Sequence, residues 1–189
     1  MFEKDDLDTI INTLDEGGVI LYPTDTIWGL GCDALNEEAI DKVYEIKKRP
    51  KDNPLIIIAS SIDMIKSYVA TMHPKIETLL VYHERPLTVV YEKAANLPEN
   101  LIQADGSVAI RLVKDEFCRQ MIEELGRPIV STSANMSGEP FPSNFGQISS
   151  DIISQADYIV KYRQDDKELN EPSALIKLSK KGELIFIRK

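Results

Sequence analysis

The sequence predicts an α/β fold: one domain, spanning 1–189, built on a mixed β-sheet flanked by helices. Three observations predict it. Amphipathic stretches of helical spacing alternate with short apolar runs of strand length along the chain. Some of those runs are joined by tight turns and others by helices, which mixes antiparallel with parallel neighbours. The length, 189 residues with 43% apolar side chains, suits one continuous buried core.

Leu7, Ile10, Ile11 and Leu14 recur at helical spacing behind Asp5 and Asp6, and Gly17 and Gly18 offer the left-handed conformation that ends a helix. Residues 19–22 form a short strand closed by Pro23, and residues 24–33, with two glycines and several small polar groups, read as a functional loop. Asn36 caps a helix with Glu37 and Glu38 in its first turn and Lys47 and Lys48 in its last, both matched to the helix dipole, and Pro50 stops it. Residues 55–59 are a branched apolar run, the pattern of a strand covered on both faces, and belong at the sheet centre. Helices over 62–70 and 74–82 lead to a strand over 87–91.

In the next strand, 107–113, Val108, Ile110 and Leu112 face one way and Arg111 the other. Asp115 caps a helix over 116–125 that Gly126 ends, and residues 128–130 form a strand running into the polar loop Ser131, Thr132, Ser133, Ala134 and Asn135. A short helix near 147–154, strands over 158–160, 174–178 and 184–187, and a tight turn over 179–182 complete the chain.

The 22 basic and 31 acidic side chains leave a formal charge of -9, which disfavours nonspecific binding to a polyanion. Two cysteines without paired-ligand spacing suggest neither a zinc site nor a disulfide framework and fit a reduced, cytoplasmic setting. The acidic N-terminal segment is unlike a secretory signal, and no apolar run reaches membrane-spanning length, so a soluble, unexported protein with no membrane partner is expected.

Four segments have the residue types for ligand chemistry. Lys47, Lys48, Arg49 and Lys51 concentrate cations in an acidic chain; they either favour a helix C-terminus or meet an anion, and Asn53 and Pro54 fix their place ahead of a buried strand. The loop from Pro23 to Gly31 is a glycine-rich turn or a ligand loop at a strand end, with Trp28 read as a packing anchor. Ser131, Ser133 and Asn135 fall on one side of an extended backbone, where they would serve a phosphate or carboxylate, or else bond their own turn. Arg111 is either paired with a carboxylate of the protein or held for one on a ligand, and Arg188 poses the same question from an edge strand. Asp25 and Asp33 read as loop caps. His73 and His83 lie near no serine or cysteine motif, so a histidine-dependent triad is not expected.

These segments resemble, in order, the YrdC/TsaC-like family of threonylcarbamoyl-AMP synthases. The matching residues are Tyr22-Pro23-Thr24-Asp25-Thr26 with Trp28-Gly29-Leu30-Gly31-Cys32-Asp33, Lys47-x-Arg49-Pro50 with Asn53-Pro54-Leu55, and Ser107-Val108-Ala109-Ile110-Arg111. They continue with the run from Ser131 to Gly138, Pro172-Ser173, and Phe186-Ile187-Arg188. The resemblance implies a twisted sheet with a deep YrdC-like cleft, and synthesis of threonylcarbamoyl-AMP and pyrophosphate from L-threonine, bicarbonate and ATP for a tRNA modification.

Carried over by position, it implies that Thr26, Arg111, Ser131 and Ser173 bind threonine. Lys47, Arg49, Asn53, Ser107, Ser133, Asn135 and Arg188 would hold ATP, with Lys47, Arg49, Ser133 and Asn135 as the catalytic set. Mg2+ would travel with ATP, and no protein metal site is expected. A downstream threonylcarbamoyl transferase complex would be a partner. The chain has the length of the short form, and the alternative is a YciO-like paralogue binding tRNA or double-stranded RNA without catalysis. A sugar-phosphate enzyme of similar fold would want an acidic and histidine metal set that the sequence does not offer.

Overall fold

Helical periodicity at the N-terminus places Leu7, Ile10 and Leu14 on one side, and in the computed structural model of the chain, which describes residues 7–188, α1 (Leu7–Asp15) buries Ile10 and Leu14 completely. Asp5 and Asp6 lie outside the described residues. Gly17, at φ +76°, supplies the left-handed turn expected after the helix. The chain continues through β1 (Ile20–Tyr22), β2 (Gly29–Gly31), α2 (Glu37–Ile46), β3 (Ile56–Ala59), α3 (Ile62–Tyr68), α4 (Pro74–Tyr82) and β4 (Leu87–Tyr91). It ends with β5 (Val108–Leu112), α5 (Glu116–Leu125), β6 (Ile129–Ser133), α6 (Ser150–Ile153), β7 (Tyr158–Ile159), β8 (Ala174–Leu178) and β9 (Leu184–Arg188).

The caps behave as their chemistry requires. Asn36 accepts a hydrogen bond from the Ala39 amide at α2, and Asp115 accepts one from the Cys118 amide at α5, which Gly126 ends at φ +72°. Three sequence expectations need correction. Residues 24–33 are not loop throughout, because Gly29–Gly31 pair on both sides as β2. The polar run after residue 130 begins inside a strand, since β6 continues through Ser133. Lys47 and Lys48 follow α2 instead of filling its last turn, Lys47 being the cap and Lys48 adopting φ +49°.

The strands form one mixed sheet in the order β7-β1-β2-β6-β3-β5-β4-β8-β9, with β3 at its centre as its branched apolar run predicts. Parallel pairs (β1 with β7, β3 with β5, β4 with β8) alternate with antiparallel ones. Alternation along each strand then divides the buried residues. Leu21, Leu30, Ile57, Val89, Ile110, Val130 and Ile176 share one core with α2, α3 and α4. On the opposite face Ile20, Tyr22, Ile58 and Ile129 share a second core with α1 and α5.

Two helices cannot cover the second face of so wide a sheet. Register places Arg111 beside Ile58 and Thr88, and Ser131 beside Ile56, on this same face. A hollow therefore opens where α1 and α5 end, and its floor is a sheet surface carrying polar side chains.

The glycines of β2 allow the sheet to close around Tyr22. Its ring lies against Gly29 and Gly31, 3.3 and 3.0 Å from where a Cβ of each would stand, and its hydroxyl donates to the Val130 carbonyl at 3.2 Å. A Cβ at Gly31 would sit 1.9 Å from the Val130 carbonyl oxygen, so β2 could not keep its register with β6. Gly31→Ala should therefore lower the unfolding free energy by about 1–3 kcal/mol in urea titrations, as other overpacked cores do. A Gly31→Ala protein as stable as the parent would show that this close approach is not needed.

Candidate functional site

The hollow is a cavity of about 240 Å³ whose lining draws on distant parts of the chain: the loop after β1, the connection from α2 to β3, β5, β6 and the segment beyond it, the residues just before β8, and the end of β9. It brings together Thr26, Arg49, Arg111, Ser131, Ser133, Asn135, Ser173 and Arg188, all expected from the sequence. Lys47, Asn53 and Ser107 do not line it.

Arg111 stands on β5, one strand from the sheet centre, and only 7% of its side chain is exposed. Its Nη1 donates to Thr26 Oγ1 at 2.7 Å. Thr26 is held in turn, because Thr24 Oγ1 lies 2.9 Å from Thr26 Oγ1, accepts from the Thr26 amide at 3.0 Å, and donates to the Ile27 carbonyl at 2.8 Å. On the other side Nη2 approaches Asp25 Oδ1 at 3.2 Å, an ion pair without hydrogen-bond alignment. Nε and Nη2 are buried and, among the described residues, have no hydrogen-bond partner. Both alternatives raised by the sequence therefore hold in part: a carboxylate of the protein balances the charge, while donors remain for another group.

Asp25, read as a loop cap, is thus the residue that sequence reasoning missed. The available signal was the demand of a buried strand arginine for an acid, with Asp25 adjoining Thr26. Its other oxygen accepts from the Lys114 amide at 3.3 Å. Asp33 does cap, accepting from the Leu35 amide at 2.8 Å, but it also meets Arg127 Nε at 2.7 Å.

The basic run separates on folding. Lys48 points outward and Lys51 pairs with Asp41 at 2.9 Å. Arg49 donates from Nε to the Asn53 carbonyl and from Nη2 to Asn53 Oδ1, both at 2.8 Å, and from Nη2 to the Pro54 carbonyl at 3.0 Å. Asn53 therefore orients the guanidinium from behind, while Arg49 itself reaches the cavity. Lys47 is fully buried, and its Nζ donates to the Ser133 carbonyl and, at 2.5 Å, to the Asn135 carbonyl. Its own carbonyl accepts from the Ser137 amide at 2.9 Å, so Lys47 fastens α2 to the turn after β6. Burial, followed by the charge of Arg49, pushes its ammonium down to about 7.

Arg188 is exposed at the end of the edge strand β9, as its plain reading expects, but it also donates from Nε at 3.0 Å and Nη2 at 2.9 Å to the Ser173 carbonyl. Partial burial and then the nearby charge of Arg111 push its guanidinium down from its usual range. Ser173 Oγ lies 2.7 Å from Thr88 Oγ1. Ser107 is buried just before β5, beside Asp105, whose carboxylate accepts from the Ser107 amide at 3.0 Å. Trp28 is the packing anchor expected, 5% exposed and tilted against Phe145 at 4.8 Å between centroids. Pro172, part of a matched segment, also lines the cavity, as do Ile56, Glu139 and Phe141, which no motif singled out.

Among the described residues no group of three or more histidine, cysteine, aspartate or glutamate side chains could hold a metal ion, and no helix is long and apolar enough to cross a membrane. The arrangement is one for anions: three guanidinium groups around neutral hydroxyls and amides.

Over residues 12–189 the chain matches the family profile named for Sua5, YciO and YrdC, described as telomere recombination. It is 32% identical over 158 residues to the threonylcarbamoyl-AMP synthase of Xanthomonas campestris pv. campestris (strain B100), across 82% of this chain and 84% of that one. To the threonylcarbamoyl-AMP synthase of Pyrococcus abyssi (strain GE5 / Orsay) it is 34% identical over 146 residues, across 77% of this chain and 43% of that one. The crystal structure of P. abyssi Sua5 complexed with L-threonine superposes with a TM-score of 0.84 at 29% identity, over 96% of this chain. The chain spans about half the length of that Sua5, 53%. E. coli YciO superposes with a TM-score of 0.82 over 97% of this chain and 88% of that one, and at 21% identity the likeness concerns the fold.

The buried Lys47 ammonium has a signature in stability. Its folded-state value near 7 lies below the ordinary 10.5, so between these the unfolded chain binds the proton more tightly and stability rises with pH. In Lys47→Met this contribution, up to about 1.4 kcal/mol per pH unit, should be missing from unfolding free energies measured between pH 7 and 9. Parallel pH profiles for the two proteins would show that Lys47 keeps an ordinary proton affinity.

Proposed function

We propose that this chain, which belongs to the Sua5/YciO/YrdC family, is a threonylcarbamoyl-AMP synthase: a transferase that joins L-threonine, bicarbonate-derived carbon dioxide and the adenylyl group of ATP, releasing pyrophosphate. The observation that carries the reading is the half-satisfied Arg111 guanidinium on the floor of a cavity that Arg49 also lines. A buried guanidinium edge with free donors suits one carboxylate, and a second arginine on the same cavity suits a polyphosphate. The likeness to synthases at 32% identity and to a Sua5 that binds threonine supports assigning these to an amino acid and a nucleotide.

In this reading the α-carboxylate of threonine meets Nε and Nη2 of Arg111, beside the hydroxyls of Thr26, Ser131 and Ser173. The amine nitrogen attacks the carbon of carbon dioxide and loses a proton, giving a carbamate. A carbamate oxygen then attacks the α-phosphorus, and the bond to the pyrophosphate oxygen breaks. Arg49 and Arg188 bind the triphosphate, and Ser133 and Asn135 contact it from the β6 side. Lys47 serves this end of the cavity from behind, holding the main-chain carbonyls of Ser133 and Asn135. Asn53 likewise acts through Arg49.

Positioning and charge neutralisation supply the rate, and no dedicated base is required. The cavity lining has a single carboxylate, Glu139, so a magnesium ion would be held by the triphosphate and water, shielding phosphate charge. The product is a mixed anhydride, which a threonylcarbamoyl transferase acting on tRNA would consume.

Pyrophosphate release by the purified protein should require threonine, bicarbonate and ATP together. Arg49→Ala should weaken ATP binding by roughly ten- to a hundredfold, as loss of charge-assisted hydrogen bonds does, and leave threonine binding within about twofold. Arg111→Ala should do the reverse. If both variants titrate ATP and threonine like the parent, the two arginines are misassigned. RNA retention with a steep salt dependence and no pyrophosphate release would favour a binding module instead.

A further inference from the structure

The loop from Pro23 to Trp28 is a partition. On one side Thr26, Ile27 and Trp28 line the cavity that holds Arg111; on the other, Asp25 faces a second hollow of about 300 Å³. Asp25 bridges the partition through its carboxylate. One oxygen stands 3.2 Å from Arg111 Nη2, and the other accepts from the Lys114 amide, just past the end of β5. Both side chains of the pair are nearly withdrawn from water, at 7% and 11% exposed. Among the described residues the Arg111 guanidinium makes one hydrogen bond, from Nη1 to Thr26. A single bond at one nitrogen leaves a planar guanidinium free to turn about that contact, whereas a second anchor at Nη2 fixes its plane. Repulsion acts from the side of Arg188, whose guanidinium is itself pushed down by the charge of Arg111.

We infer that Asp25 is a positioning residue for the amino-acid site: its carboxylate sets the plane of Arg111 and offsets its charge, so that the buried Nε and Nη2 donors present a fixed fork to the α-carboxylate of the substrate. The inference rests on the amino-acid reading of the cavity given above. Asp25 does not line that cavity, so it acts through Arg111 and touches no reacting atom. Its negative charge lowers the net attraction for a carboxylate, and the inference requires geometric definition to outweigh that loss, because a misplaced fork forfeits its paired bonds to the carboxylate. The consequence is selective, falling on the amino acid and sparing the nucleotide, which meets Arg49 from a different part of the chain.

Asp25→Asn keeps the shape and an acceptor for the Lys114 amide while removing the charge. Calorimetric titration of the variant should give a threonine Kd weaker by roughly tenfold or more, and an ATP Kd within about twofold of the parent. In steady state the threonine KM should rise while kcat at saturating threonine is nearly kept. Asp25→Glu, which restores the charge one methylene further out, should recover part of the loss, and it also serves if Asp25→Asn folds poorly. In an Arg111→Lys background, which has no planar fork to orient, Asp25→Asn should cost less than about twofold.

Tighter threonine binding in Asp25→Asn would mean that the acid competes with substrate, and would overturn the inference. So would an equal loss of threonine and ATP affinity, the mark of general damage, or an undiminished cost in the Arg111→Lys background. A parent protein that binds ATP but no amino acid would overturn the amino-acid reading and this inference with it. A parent that binds threonine with Asp25→Asn unchanged would overturn this inference alone.

Discussion

The organisation of the site depends on a cation buried in the middle of a β-sheet. A guanidinium on β5 is only 7% exposed on the floor of the cavity, so the fold must balance its charge and hold its plane. The loop between β1 and β2 does both, through Thr26 on one side and Asp25 on the other. Because that loop is fastened to Lys114 and to its own main chain through Thr24, the path from β1 to β2 is dictated by the needs of a residue almost ninety positions away. What the protein leaves unsatisfied is as informative as what it satisfies: among the described residues two buried donors of Arg111, Nε and Nη2, make no hydrogen bond, although Nη2 lies in an ion pair with Asp25.

The cavity exists because helices are unequally shared between the faces of the sheet. α2, α3 and α4 pack on one core, while α1 and α5 cover only the part of the other face bearing Ile20, Tyr22, Ile58 and Ile129. Beyond that cover the same face continues as Arg111, Ser131 and Ser133, residues that hydrogen-bond or stay small where an aliphatic surface would have demanded another helix. The glycines of β2 serve the same end. They let the Tyr22 ring lie flat across the strand, so that the second core closes just behind the polar floor.

Charged residues that are neighbours in sequence do different work in space. Of the cations around position 49, Lys51 meets Asp41 at the surface, Arg49 turns into the cavity with Asn53 behind it, and Lys47 passes into the core to hold two carbonyls at the end of β6. Burial at Lys47 depresses its proton affinity, an effect absent at an exposed helix end. The turn after β6 is thereby joined to the end of α2, and Arg49 and Asn135 come to line one hollow.

Read alone, the sequence determined the helices, the central placement of β3, the capping by Asn36, Asp115 and Gly126, and eight of the residues that line the cavity, because periodicity, capping chemistry and an ordered set of segments are properties of a linear chain. It did not determine that residues 29–31 form a strand, since a three-residue glycine-rich stretch pairs only when β1 and β6 flank it. Nor did it assign Asp25 to Arg111, bury Lys47 among carbonyls, or place Ile56, Glu139 and Phe141 on the cavity wall. Those outcomes are set by which strand lies beside which, and by which face two helices leave uncovered, and neither is encoded in the order of nearby residues.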